Sequence, residues 1–257
     1  MNGAFEVGAV ALRAEQLALE MIANNIANVN SPAFKRSEPR FSEILARQPQ
    51  ADGIGGALAP SGLPEGGGVR IVPQAMLFAQ GEIRPTGNPM DLAIEGQGLI
   101  ELMGPSGQDL LWRGGPLRVN EDGLLATADG IPLRAGIVIP LDAQSLSISP
   151  AGIVSALTSS DESVEVGQIR LVRVEHEDAL ERLDNGLLRP FEDTRLIDSA
   201  AGEDGTGWFR QGSLEGSNVE LSEEMVKMLI IQRAFAANAQ AIQAADQLAA
   251  ITNNLKK

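Results

Sequence analysis

The strongest constraint on this 257-residue chain is a spacing that marks both of its ends and is missing from its middle. Near the start, Phe5, Leu12, Leu19 and Ile26 recur every seven residues, and Ile22 and Val29 fall on the same face. Near the end, Leu221, Met225, Met228, Gln232, Phe235, Ala239 and Ile242 advance in steps of three and four. A second track through Ala244, Leu248, Ile251 and Leu255 follows, displaced by about one residue. A strand would show alternation with period two, so these tracks predict two amphipathic helices. Their mean step of roughly 3.5 residues suits helices that pack on helices.

The limits of both helices are also written locally. Asn24, Asn25, Asn28 and Asn30 lower helix propensity, and Pro32 disfavours helical geometry at Ser31, so the first helix should end near residues 29 to 31. Asn218, ahead of Glu223 and Glu224, marks the expected start of the second. The acidic pair reads as a solvated first turn rather than a general acid and base, and Lys256 and Lys257 complement the other end of the helix dipole.

Between the helices the pattern changes twice. Residues 46–69, "ARQPQADGIGGALAPSGLPEGGGV", have no period and are dense in Gly, Pro and Ala, which predicts an extended or irregular segment. From 70 to 215, short apolar runs such as "DLAIEG" and "GQIRLVRVE" alternate with "GPSG", "NEDG", "TADG" and "SPAG", which read as hairpin-type turns. Only 4% of residues are aromatic and Tyr is absent, so the core must be built from Leu, Ile, Val and Ala. The fold class is therefore α+β: N- and C-terminal helices forming a coiled-coil-like layer, with a mainly antiparallel β domain at the centre. The expected divisions are 1–45, 46–69, 70–215 and 216–257.

Chemistry is sparse. A net charge of −14 speaks against nucleic acid and against an anionic membrane surface. The absence of cysteine removes disulfides, thiolate metal sites and a Cys nucleophile. His176 is the sole histidine and stands among acids, with no G-x-S-x-G elbow anywhere to build a triad around. "GQG" at Gly96 to Gly98 lacks the third glycine of a dinucleotide fingerprint, because position 101 is Glu, and reads as a turn or bulge. "NEDG" and "TADG" lack the ligand spacing of a calcium loop. No catalytic, cofactor or metal site is expected. No run is long enough to span a bilayer, and the N-terminus lacks the basic region of a secretory signal. Composition by itself fits a cytoplasmic protein.

For the helical ends two readings stand on physics alone. They pair with each other as an ordinary core, or their apolar seams meet other copies of the chain. The residues themselves then supply a resemblance. "NNIANVNSPAFKR" is similar to the N-terminal signature of the flagellar rod and hook axial proteins, an Asn-rich helix end before a Phe-Lys pair. "EGSNVELSEEMVKMLIIQRAFAANAQAIQAADQL" resembles their C-terminal signature, and "DLAIEGQGLIEL" their central strand pair. Within the family, "FKRSEPRFSEIL" and the "AIQAADQ…ITNNL" ending look most like the distal rod members, with proximal rod or hook members as the alternative and an enzyme that carries coiled-coil termini as the rival from another class. The chain departs from the pattern at Ala33, where Gly is usual, at Phe235, where Tyr is usual, at Ala236 and in "RGGPL".

The resemblance implies a non-enzymatic subunit of a tubular helical rod that transmits torque, with terminal helices inside and the β domain outside. It implies a homo-oligomer that meets other rod and hook proteins, the surrounding basal-body rings and the flagellar type III export apparatus. The location becomes the periplasmic rod, reached without a cleaved signal peptide. No nucleic acid, cofactor or membrane insertion is implied. The subunit interface is then expected at Phe5, Leu12, Leu19, Ile22, Asn25, Ile26, Asn28 and Phe34, and at Leu221, Met225, Met228, Gln232, Phe235, Ala239, Ile242, Leu248 and Ile251.

Overall fold

The computed structural model describes residues 2–44, 68–76, 78–175, 179–191 and 194–254. Most of the Gly/Pro-rich segment, residues 46–67, lies outside the described residues, as does His176. The chain is α+β, with two long helices at its ends and antiparallel strands between them. It divides into two compact units: Met1–Ile26, Ser37–Ala75 and Leu221–Lys257 form one, and Ala27–Arg36 with Met76–Glu220 form the other.

In the helical unit, α1 (Asn2–Ala27) and α2 (Leu221–Asn254) lie side by side. A Cβ added at Gly8 would stand 2.8 Å from the Ile242 side chain, Asn238 bonds Glu15, and Asn25 bonds Glu224. These contacts run in opposite senses along the two helices, which are therefore antiparallel. The buried face of α1 is Ala14, Ala18, Ile22 and Asn25. Small residues there let α2 approach closely, while Leu12, Leu19 and Ile26 sit half-buried at the side. On α2 the covered track is Glu224, Ile231, Asn238 and Ala245, spaced by seven, one residue ahead of the apolar track through Met225, Gln232 and Ala239. No helix among the described residues is long and apolar enough to cross a membrane. The unit also holds the strand Ser37–Ile44, paired with Gly68–Met76.

Both helix starts and stops differ slightly from expectation. α1 ends at Ala27 rather than at 29 to 31, because turn chemistry acts before the proline does. The Ser31 N–H donates to the Asn28 carbonyl at 3.1 Å and its hydroxyl donates to Asn28 Oδ1 at 3.0 Å. α2 begins at Leu221, and Asn218 is engaged elsewhere. Glu223 is exposed as expected, but Glu224 is buried. The reading of that pair as a solvated turn is corrected for Glu224, which has Asn25 and Lys227 as donors.

The second unit is built of short antiparallel strands. One four-stranded sheet runs Leu180–Arg182, Leu187–Pro190, Asp109–Trp112, Ile100–Met103. Another runs Trp208–Gln211, Asp91–Glu95, Gly115–Val119, Leu125–Thr127. A third, of three strands, has Ile153–Thr158 at its centre, with alternate residues buried as the pleat requires. The four anticipated turns all close antiparallel segments: "GPSG" and "SPAG" join paired strands, "NEDG" links Gly115–Val119 to Leu125–Thr127, and "TADG" brings Ile131 back onto Thr127. At the "SPAG" turn Gly152 has φ +83°, and a side chain there would meet the Ile169 carbonyl and the Phe209 ring. The core is aliphatic, as the composition requires: Leu92, Ile94, Ile100, Leu102, Leu125, Leu133, Ile137, Ile169 and Leu171 are buried together, with Trp112 and Phe209 as its aromatics.

Candidate functional site

Two places carry more polar or apolar chemistry than a fold alone needs. The first lies inside the strand unit, where the segment that follows α1 runs beside the segment that precedes α2. The Ala33 N–H donates to the Glu215 carbonyl at 2.7 Å, and the Asn218 N–H donates to the Phe34 carbonyl at 3.2 Å. Asn218 then uses its side chain as a brace: Oδ1 accepts from the Arg36 N–H at 2.7 Å and Nδ2 donates to the Ala79 carbonyl at 2.9 Å. This is the role that takes Asn218 away from the helix start.

Beneath that pairing is a buried ion cluster. Lys35, Arg113 and Glu215 are 4%, 5% and 2% exposed. Glu215 Oε1 accepts from Lys35 Nζ and from the Gly81 N–H at 2.9 Å, and Oε2 accepts from Arg113 Nε at 2.8 Å. The remaining donors of Arg113 reach the carbonyls of Ile94, Gly96 and Gly98, and Lys35 also reaches that of Ala79. Each charge is thus paired and hydrogen-bonded, as burial demands. The "GQG" glycines are the turn that aims those carbonyls, with φ of +111° and +132° at Gly96 and Gly98. Arg182 lies 4.3 Å above the Phe34 ring and donates to the Lys35 carbonyl, and burial holds its guanidinium below its ordinary range.

The second place is α2 and its seam with α1. Asn25 satisfies its amide within the chain: Oδ1 accepts from the Ser37 N–H at 3.0 Å, and Nδ2 donates to the Ser37 carbonyl at 2.9 Å and to Glu224 at 3.0 Å. Lys227 bridges Glu38 and Glu224 at 3.1 and 3.2 Å. Burial alone would lower the Lys227 ammonium, but hydrogen bonds to those carboxylates, and their charge, raise it on balance. On the far side of α2 stand Met225, Val226, Leu229 and Ile230, between 54% and 61% exposed, with Leu221 one turn before Met225. α2 is therefore apolar on two faces, and the pairing with α1 covers one.

Of the expected interface residues, Leu221, Met225, Gln232, Phe235 and Ile251 are exposed, while Leu12, Leu19, Ile26, Asn28, Phe34, Met228, Ala239 and Ile242 are half-buried. Ile22 and Asn25 are buried, and Phe5 and Leu248 lie on α1 and α2. Sequence reasoning missed Val226, Leu229 and Ile230, although "MVKMLII", apolar at every position but Lys227, signals apolar residues on more than one face of a helix. It also missed Lys35, Arg113 and Glu215, whose only trace was a place in or beside the quoted signatures.

Comparison with known proteins converges on these same residues. Residues 5–35 match the family described as flagella basal body rod protein. Residues 93–156 match the flagellar hook protein FlgE/F/G D1 domain, and residues 210–255 match the flagellar basal body rod FlgEFG protein C-terminal family. Over 259 residues the chain is 34% identical to the flagellar basal-body rod protein FlgG of Caulobacter vibrioides, covering 98% of this chain and 99% of that protein. The chain belongs to the flagellar basal-body rod family. FlgG of Borreliella burgdorferi is 33% identical over the full length of both chains, and FlgF of Caulobacter vibrioides is 29% identical over 91% of this chain and 90% of its own. The three rod-family segments contribute one member each to the ion cluster: Lys35 from the first, Arg113 from the second and Glu215 from the third. All three matched segments meet at this cluster.

Proposed function

We propose that the chain is a non-enzymatic structural subunit of the distal flagellar rod, polymerising with other copies of itself through α1 and α2. The observation that carries this reading is the outward face of α2. Met225, Val226, Leu229 and Ile230 form one apolar strip that the described residues leave in water. Completing the burial of four half-exposed side chains contributes about 3–6 kcal/mol per subunit toward association. Leu221, one turn before Met225, extends the strip along the helix. In the polymer α1 and α2 build a coiled-coil-like layer with the helices of other copies, and the seam residues named from the sequence lie in it.

The distal position rests on full-length likeness to FlgG proteins at 33–34% identity, against 29% for the FlgF protein. The partners are then other rod and hook proteins, the surrounding rings and the type III export apparatus, and the location is the periplasmic part of the basal body. No cofactor, nucleic acid or membrane insertion enters this reading. Electron microscopy of the concentrated protein tests it. Wild type should form tubes or filaments, and Leu229→Asp should form none while its tryptophan-monitored melt is unchanged. A Leu229→Asp chain that assembles like wild type would overturn the role of α2, and a wild type that forms no fibres would overturn the function itself.

A further inference from the structure

In the strand unit a cleft of about 270 Å³ opens beside the strand Ile100–Met103. Its floor is apolar: Ile100, Leu133, Ile169 and Val172 line it and are at most 1% exposed. Its charged lining is Glu101 and Asp198, with Arg134 and Arg170. Backbone pairing sets most of these positions. Leu99 and Val172 exchange two backbone hydrogen bonds at 2.8 and 2.9 Å, Asp198 stands opposite Val172, and the Arg134 N–H donates to the Glu101 carbonyl at 3.0 Å. An apolar floor with a few convergent charges is the usual make-up of a small-ligand site.

The carboxylate of Glu101 is both reachable and short of positive charge. Its side chain is 21% exposed, and Asp198 is exposed. Arg134 Nε stands 3.7 Å from Glu101 Oε2, beyond hydrogen-bond range, while its Nη1 donates to Asp109. The charges that act on Glu101 are Asp198 and Asp109 on one side and Arg134 alone on the other. Burial first, and then Asp198, raise its carboxyl, with Arg134 opposing and Asp109 adding to the rise. A further cation beside it would relieve that repulsion.

We infer that this cleft binds an alkylammonium or alkylguanidinium group, as a lysine or arginine side chain presents, with its head at Glu101 and Asp198 and its stem on the apolar floor. A space of about 150 Å³ already holds a benzene ring, so a cleft of about 270 Å³ accepts a butyl stem with its charged head. The site is separate from the apolar strip of α2 and does not rest on the assembly reading. A free amine and a basic residue of another copy would bring the same chemistry to it.

The probe is n-butylammonium chloride, titrated into the whole chain while the tryptophan-monitored melt is followed. Both tryptophans lie in the same unit as the cleft, and a ligand of the folded state raises Tm with its concentration. Ammonium chloride at equal ionic strength supplies the charge without the stem. Binding of n-butylammonium at about millimolar concentration is expected for a probe this small. Glu101→Gln should weaken it by at least about tenfold, because the charge that meets the head is gone. Asp198→Asn, on an exposed residue, should weaken it in the same direction and serves if Glu101→Gln disturbs the fold. Wild-type affinity should also fall as pH drops through the Glu101 value, since protonation removes the same charge. A shift no larger than that from ammonium chloride, or an equal shift in both variants and wild type, overturns the site. The source of the cation is read from sedimentation of fibres. Glu101→Gln fibres that need more protein than wild type, together with wild-type fibres dissolved by n-butylammonium but not by ammonium, assign it to a basic residue of another copy. Assembly unchanged in both assigns it to a free amine.

Discussion

Replacing Glu215 by Gln probes the ion cluster at its most sensitive point. Every group that contacts the Glu215 carboxylate is a donor: Lys35 Nζ, the Gly81 N–H and Arg113 Nε. A glutamine amide keeps one acceptor but turns an NH2 toward donors, and it leaves two buried cations without a counter-charge. Removing one partner of a buried ion pair costs about 3–5 kcal/mol. For a unit of this size each kcal/mol lowers Tm by about 2–4 °C, so a drop of about 10 °C is expected. The readout is specific, because both tryptophans, Trp112 and Trp208, belong to the strand unit. The sharper test is a double-mutant cycle with Lys35→Met. In the wild-type background Lys35→Met leaves Glu215 paired with Arg113, and the loss should be about 1–2 kcal/mol. In the Glu215→Gln background the same change removes an unpaired buried cation, so it should be neutral or stabilising, a coupling of about 1–3 kcal/mol. Additive effects, or a Glu215→Gln melt within about 1 kcal/mol of wild type, would refute the view that the three charges act as one unit.

Two further outcomes follow from single positions. Ala33 holds φ +54°, a region that disfavours a side chain, so Ala33→Gly should stabilise the strand unit by about 0.5–1 kcal/mol in a tryptophan-monitored urea titration. Burial first, and then the negative charge of Asp198, raise the Glu101 carboxyl, with Arg134 opposing and Asp109 adding to the rise; the folded state therefore holds that proton more tightly than the unfolded chain does. The contribution is fullest below the unfolded value of about 4.3 and is lost as pH rises through the folded value. Glu101→Gln should accordingly gain stability over wild type at pH 7, with the difference closing below about pH 4; a difference that does not change with pH would refute the assignment.

The helices were legible because amphipathic spacing is a local property. Leu12, Leu19 and Ile26, or Met225, Met228 and Phe235, announce a helix whatever they pack against. The turns were legible for the same reason, since "NEDG" and "SPAG" carry their own backbone requirements. Which face of α2 meets α1 was not legible, because two apolar tracks share that helix and the covered one includes Glu224 and Asn238. Polarity pushed Glu224 toward solvent in the sequence reading, and a partner on α1 reversed it. The ion cluster left still less trace. Glu215 lies 180 residues from Lys35 and 102 from Arg113, and no periodicity links residues at such separations.

The Asn-rich end of α1 makes sense once those long-range partners are in place. Asn25 offers Ser37 a donor and an acceptor, as a neighbouring strand would, and Asn28 starts the turn that delivers residues 33 to 36 alongside residues 215 to 218. There the chain entering the strand unit and the chain leaving it are joined by two backbone hydrogen bonds, one from the Arg36 N–H to the Asn218 side chain, and the buried Lys35–Glu215 pair. Sliding one segment along the other would break the two backbone bonds together and expose two buried charges in the same step. Such a joint resists shear far better than its separate bonds would if each could yield alone. A subunit that passes torque along a shaft, as proposed for this chain, needs its load to cross between these segments without slack, and a short pairing locked by a buried ion cluster supplies that stiffness where a longer apolar contact could creep.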